Sequence, residues 1–177
     1  INHVQHYKCD EIKQSDTLVN VEICGIDRKS LKGILFIFQD EFEAGKRNSE
    51  LFTNPRIKTV KFSIDYLPNR LYSCGYKEEN QWNEICKHFA SEDSKRSNDM
   101  IIDIFSYYGS NRYALWADLR VTEDNNLHGS GKKHESKNSI LMEMTKKNNG
   151  TGKYFMHIFI VSDARVIISD KKFSRVE

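Results

Sequence analysis

The stretch at residues 57–66 alternates without a break. Val60, Phe62, Ile64 and Tyr66 fall on one parity; Thr59, Lys61, Ser63 and Asp65 fall on the other. Successive side chains of a strand point to opposite faces, so this pattern dictates a strand with one face in a core and one in water. The same period of two recurs through the chain. Residues 18–26 set Val19, Val21 and Ile23 against Leu18, Asn20 and Glu22. Residues 113–121 carry Tyr113, Leu115, Ala117, Leu119 and Val121 on one parity, and residues 139–145 carry Ile140, Met142 and Met144. Residues 31–38 differ, because Leu31, Leu35 and Ile37 and also Ile34, Phe36 and Phe38 make both parities apolar. A short run of that kind fits a strand covered on both sides. Residues 154–161 and 164–168 are β-branched and aromatic, with a bend expected at Asp163.

One segment has a helical period. In residues 78–89, Trp82, Ile85, Cys86 and Phe89 form a single apolar stripe, with Glu78 and Glu79 at the start and Lys87 and His88 near the end. Both charge placements suit the helix dipole. Residues 100–105 fit either a short helix or a short strand. Polar stretches at 40–54, 91–99, 123–138 and 148–153 separate the elements. Many short strands, polar turns and one amphipathic helix predict a single all-β domain over residues 1–177, a sandwich or barrel of antiparallel strands. Phe62, Ile64, Leu115, Leu119, Ile158 and Ile160 are expected in its core.

Composition narrows the function classes. At 177 residues the chain is long enough for one well-buried core. A net charge of +2 is too small to argue for nucleic acid or an anionic membrane as a partner. The longest apolar run, near residues 155–161, is interrupted by His157 and falls well short of the roughly 20 residues that span a bilayer. The chain opens Ile1-Asn2-His3-Val4, which reads as a processed product or a piece of a longer chain. Cys9, Cys24, Cys74 and Cys86 show no C-x-x-C spacing, and Cys24 and Cys86 fall on apolar faces. Buried free thiols, in a protein made inside the cell in a reducing compartment, are expected. The sequon at Asn149 reads as a chance match.

A search for chemistry returns little. His3 and His6 read as part of a frayed terminus. His128 and His134 share a loop with Glu123, Asp124 and Glu135, but the spacing matches no zinc pattern. His157, within a strand, is expected to face solvent or a subunit interface. Gly129-Ser130-Gly131 lacks the rest of a P-loop. Cys86 and His88 lie on different sides of their helix. No nucleophile, base and orienting group converge, so no catalytic residue, metal or cofactor is expected, and the chain is read as no enzyme. A ligand- or glycan-binding module using Tyr107, Tyr108, Trp116 and the 123–138 loop stands as the alternative. A cupin-like metal site at His128, His134 and Glu135 ranks below it.

Several motifs in one order resemble a known family. Ser30-Leu31-Lys32-Gly33 opens an apolar strand. Asn54-Pro55-Arg56-Ile57 is followed by Ile64-Asp65-Tyr66-Leu67-Pro68-Asn69-Arg70-Leu71-Tyr72, and then by the helical stretch at 82–89. Asp118-Leu119-Arg120, Asp124-Asn125-Asn126-Leu127-His128-Gly129-Ser130-Gly131 and Val161-Ser162-Asp163-Ala164 complete the set. From about residue 18 to the last residue, this order resembles the major capsid proteins of Polinton/Maverick elements and adintoviruses. Those are double jelly-roll subunits of the adenovirus-hexon-like lineage. The resemblance implies a jelly-roll sandwich of two antiparallel sheets, equivalent to the second, C-terminal barrel. It also implies a structural viral protein of the virion capsid. The complete protein would form homotrimers that tile an icosahedral shell beside other capsid proteins, with no specific nucleic-acid contact expected. Two departures stand out: the chain has room for one barrel only, and Tyr66 stands where the family has Gly. The loop and neighbouring aromatics supply the candidate subunit-interface residues: Tyr107, Tyr108, Tyr113, His128, Gly129 and Gly131.

Overall fold

Each run that alternates or is apolar on both parities is a strand in the computed structural model. It describes residues 2–41, 52–64, 73–89, 103–109, 111–121, 131–135, 137–148, 150–164, 166–169 and 172–176. The strands are β1 (Asn2–Lys13), β2 (Leu18–Ile23), β3 (Arg28–Asp40), β4 (Ile57–Ser63), β5 (Tyr76–Lys77), β6 (Ala114–Asp118), β7 (Lys132–His134), β8 (Ile140–Lys146), β9 (Lys153–Asp163), β10 (Val166–Ser169) and β11 (Lys172–Val176). Among the described residues, two helices, α1 (Glu78–Phe89) and α2 (Ile104–Gly109), lie between β5 and β6.

The pairing is nested. β1 pairs with β9, β2 with β8, β3 with β6 and β4 with β5, all antiparallel. The nest then rolls up, as β9 also pairs with β3 and β8 with β4. One sheet runs β1-β9-β3-β6, with β7 beside β3, and the other runs β2-β8-β4-β5. That order is a jelly roll, an antiparallel sandwich in which each sheet takes alternate strand pairs of the nest. β10 and β11 form a separate two-stranded sheet beyond it.

The core follows from parity. Ile34, Phe36 and Phe38 of β3, Val60 and Phe62 of β4, Leu115 and Ala117 of β6, Met142 and Met144 of β8, and Ile158 and Ile160 of β9 face inward and are buried. All six expected core residues are among the buried set, Ile64 and Leu119 included. Phe36 and Phe62 meet across the two sheets with ring centroids 5.7 Å apart. Gly33 serves a different contact: a Cβ there would lie 2.2 Å from the Trp116 ring and 2.8 Å from the Ala117 carbonyl oxygen. The absent side chain lets the indole lie flat on β3.

Four expectations need correction. The segment holding His3 and His6 is not frayed; β1 pairs with β9 over most of its length. The cause is tertiary, since the register with β9 supplies an order that the polar residues of β1 do not signal. His157 does not face solvent: it is buried, within 3.2 Å of Gln39 Oε1 and 3.0 Å of His6 Nε2. Cys24 is exposed because it has the parity of Asn20 and Glu22, the outward side of β2, and not that of Val19, Val21 and Ile23. Cys74 is exposed as well and Cys86 half-buried, so these thiols are not sealed in a core.

Two substitutions test this arrangement. Phe62→Ala is expected to cost about 3–5 kcal/mol by chemical denaturation. Gly33→Ala is expected to destabilise the fold by displacing Trp116, read as a changed indole fluorescence maximum in the native state. A neutral Gly33→Ala with unaltered fluorescence would contradict the β3–Trp116 contact.

Candidate functional site

Residues of four motif stretches far apart in sequence meet at one place, while Asn54 of the 54–57 block donates to the Tyr108 carbonyl elsewhere. β3 brings Ser30 and Lys32, β6 and the residues after it bring Asp118 and Arg120, β9 brings Asp163, and Gly131 precedes β7. Lys32 Nζ lies 2.9 Å from Asp163 Oδ1, with both side chains more than nine-tenths buried. Ser30 Oγ donates to Asp163 Oδ2 at 2.7 Å and accepts from the Gly131 amide at 3.0 Å. The Leu119 amide donates to the Lys32 carbonyl at 2.9 Å. Arg120 Nε donates to Asp118 Oδ1 at 2.8 Å, and a second guanidinium nitrogen reaches the other carboxylate oxygen. Arg120 and Gly131 also form an antiparallel bridge. Both ends of the segment between them are therefore fastened to the same sheet edge. Gly131 is required there, because a Cβ would sit 2.6 Å from the Leu31 carbonyl group.

This knot has structural chemistry. Its charges are paired and buried, and its donors are spent on backbone or carboxylate. Removing one member of a buried pair is costly, since the other loses its nearest countercharge in a poorly solvated place.

The tyrosines gather elsewhere, around α1. Tyr107 and Tyr113 are buried in the core. The Tyr113 hydroxyl donates to Gln81 Oε1 at 2.7 Å, the Tyr107 hydroxyl to the Ala114 carbonyl, and the Tyr108 hydroxyl to the Glu78 carbonyl. The Tyr107 and Tyr108 rings meet edge to face at 4.7 Å. Desolvation pushes the Tyr107 and Tyr113 phenols well above their ordinary range. Tyr107 and Tyr113 thus belong to the core that anchors α1 and cannot form the centre of a subunit interface. Trp116 is fully buried too, so the aromatic platform expected of a glycan site is not on the surface. Tyr108 alone of these lines an open depression of about 530 Å³, with Lys58, Thr59, Lys77, Glu78 and Glu79. Gln81 was not foreseen. It is fully buried and donates to the Ile57 carbonyl at 3.3 Å, fastening α1 to β4.

His128 and Gly129 lie outside the described residues, as do Pro68, Asn69 and Asn149. The remaining members of the candidate metal set diverge. His134 is buried with Nε2 3.1 Å from the Asn138 carbonyl oxygen. Glu135 turns to Lys133 and Lys137, and these two ammonium groups lower its carboxyl to about 2. Among the described residues no three His, Cys, Asp or Glu side chains are grouped to hold a metal ion. No helix among them is long and apolar enough to cross a membrane.

The two sheets differ on their outer faces. On the second sheet Asn20, Glu22, Lys61, Ser63 and Glu143 face outward beside exposed Leu18 and Leu141, and Lys61 pairs with Glu143 at 3.5 Å. On the first sheet the outward positions include Val4 and His6 of β1, Leu35, Ile37 and Gln39 of β3, and Phe155, His157, Phe159 and Val161 of β9; Gln39 and His157 are buried and the rest half-buried or exposed. His6 stacks on Phe159 within this patch at 4.6 Å. Comparison of the chain with protein-family models and with curated protein sequences returns no match.

Two measurements check this anatomy. Asp163→Asn is expected to cost about 3–5 kcal/mol, and replacing Lys32 and Asp163 together by Met and Leu to recover part of that loss. The buried phenols set an alkaline limit. A folded-state pKa raised above the unfolded value of about 10 contributes stability below that pH, which is lost as the pH rises past it. Tyrosinate absorbance of the native protein at about pH 11 is therefore expected to fall short of the denatured value by at least Tyr107 and Tyr113. Full ionisation of every tyrosine with the fold intact would contradict their burial.

Proposed function

We propose that this chain is a structural capsid-type jelly roll and not an enzyme. The observation that carries the reading is the convergence of the motif blocks. Ser30 and Lys32, Asp118 and Arg120, Gly131 and Asp163 come from four separated stretches, yet they form one knot. Short matches arising by chance would scatter over the fold. A set that meets in space behaves as one inherited structural unit, which favours the resemblance to the Polinton/Maverick and adintovirus capsid proteins. The chemistry agrees with a scaffold, since the knot's charges are spent on holding Arg120 and Gly131 against the first sheet.

The outer face of the first sheet gives the assembly reading its geometry. The apolar cluster on this outer face is suited to cover by a neighbour. In a trimer of side-by-side barrels, Val4, Leu35, Phe159 and Val161 would meet the neighbouring jelly roll. This face replaces Tyr107 and Tyr113 as the interface. A ring of this kind uses a heterologous contact and needs about 800 Å² from each partner. Other capsid proteins would be its further partners, and the virion its location.

Sedimentation of the complete protein tests the proposal. A trimer is expected, with the isolated 177-residue chain associating more weakly. Val4→Asp combined with Leu35→Asp is expected to shift the complete protein to monomer while leaving its circular dichroism unchanged. A stable monomer at micromolar concentration, with neither trimer nor shell under any salt condition, would rule the capsid reading out.

A further inference from the structure

The outer face of the first sheet holds two imidazoles directed at each other. His6 of β1 and His157 of β9 sit diagonally on adjacent strands, since His6 is opposite Phe159 and His157 is opposite Lys8. His6 Nε2 lies 3.0 Å from His157 Nδ1. Each ring is also held from another side. His157 is buried, and its Nε2 lies 3.2 Å from Oε1 of Gln39 on β3, which is buried as well. His6 stacks on the Phe159 ring at 4.6 Å. The Gln39 oxygen can only accept, so His157 carries its proton on Nε2 and turns the Nδ1 lone pair toward His6. In that tautomer His6 Nε2–H donates the bond between the rings.

A proton is one occupant of such a pair, and a metal ion is another. A ligating imidazole needs a lone pair on one nitrogen and a partner for the N–H on the other, and His157 has both. His6 supplies a second lone pair when its proton moves from Nε2 to Nδ1, a tautomer change that releases no proton. His6 is exposed, so an ion reaches the pair from solvent over the outer face. The spacing selects the kind of ion. Two nitrogens 3.0 Å apart, each about 2.0–2.1 Å from a metal, subtend about 95° there. A tetrahedral ion would set them about 3.3 Å apart. An angle near a right angle belongs to neighbouring ligands of a tetragonal copper(II) or nickel(II) ion, and imidazole suits both.

We propose that His6 and His157 form a two-ligand site for a divalent copper or nickel ion, with Gln39 as a positioning residue and water at the remaining coordination positions. Bound there, the ion ties the edge strand β1 to β9. The site is complete within one chain, so it stands whether or not the outer face meets a neighbouring barrel.

Copper(II) titration of the 177-residue chain tests the site, at a concentration where the chain sediments as a monomer. The N-terminal amine is acetylated, because a free amine two residues before His3 would itself chelate copper. Electron paramagnetic resonance at one equivalent is expected to show a tetragonal copper signal coupled to two imidazole nitrogens. Paramagnetic broadening in heteronuclear NMR is expected to centre on residues 6 and 157. His6→Gln is expected to weaken binding by roughly tenfold or more with the fold intact, since this side chain is exposed. Gln39→Met is expected to weaken it by about tenfold through loss of the Nε2 partner, and Gln39→Glu, which keeps an acceptor, to restore it. His128→Gln is expected to leave binding unchanged. Binding undiminished in His6→Gln, or broadening centred on any other histidine, would overturn the proposal. So would coupling to a single nitrogen at one equivalent.

Discussion

The pairing of β3 with β9 is the constraint on which the rest depends. Its register runs from Leu31 opposite Ser162 to Asp40 opposite Tyr154, and it joins the two arms of the nest into one sheet. Partners such as Phe36 and Ile158 are more than a hundred residues apart, so the loop-closure cost falls early and the contacts that offset it come late. β1 can add only once β9 is placed, and β6 only once β3 is. The loop-root knot needs all three of β3, β6 and β9 in position, because its charges come from each. The order of dependence therefore runs from the central pair outward to the knot, not from the motifs inward.

Most of the sandwich is legible in the sequence because its strands are amphipathic by themselves. The alternation at 57–66 gives β4, and the two-sided apolar run at 31–38 gives β3, a strand whose outer face is apolar as well. The stripe Trp82, Ile85, Cys86 and Phe89 gives α1. β1 is illegible for the opposite reason. Its residues His3, Gln5, His6, Lys8, Asp10 and Glu11 are polar, and only the neighbouring β9 makes them a strand. β5 has two residues, too few for any period to appear.

The site is legible in identity but not in location. Ser30, Asp118, Gly131 and Asp163 belong to motifs visible in the chain, yet nothing in their spacing says that they converge. Tyr107 and Tyr113 mislead because aromatics near a helix end suit a surface as well as a core. Their burial follows from α1, whose Gln81 reaches inward to meet Tyr113. A buried glutamine inside a polar helical face gives no signal of its own.

The bridge between Arg120 and Gly131 fixes two points of the chain close together, and the Asp118, Ser30 and Asp163 contacts hold those points to the sheet. The barrel is thereby insulated from whatever chain runs between them. Loop-closure entropy grows slowly with length, about 0.6 kcal/mol for each doubling. The segment from 121 to 130 is thus where a lineage of such proteins can lengthen, shorten or rewrite its sequence at little cost to folding. It is also where a foreign peptide or a small domain can be grafted, displayed from the barrel without being consulted by its core.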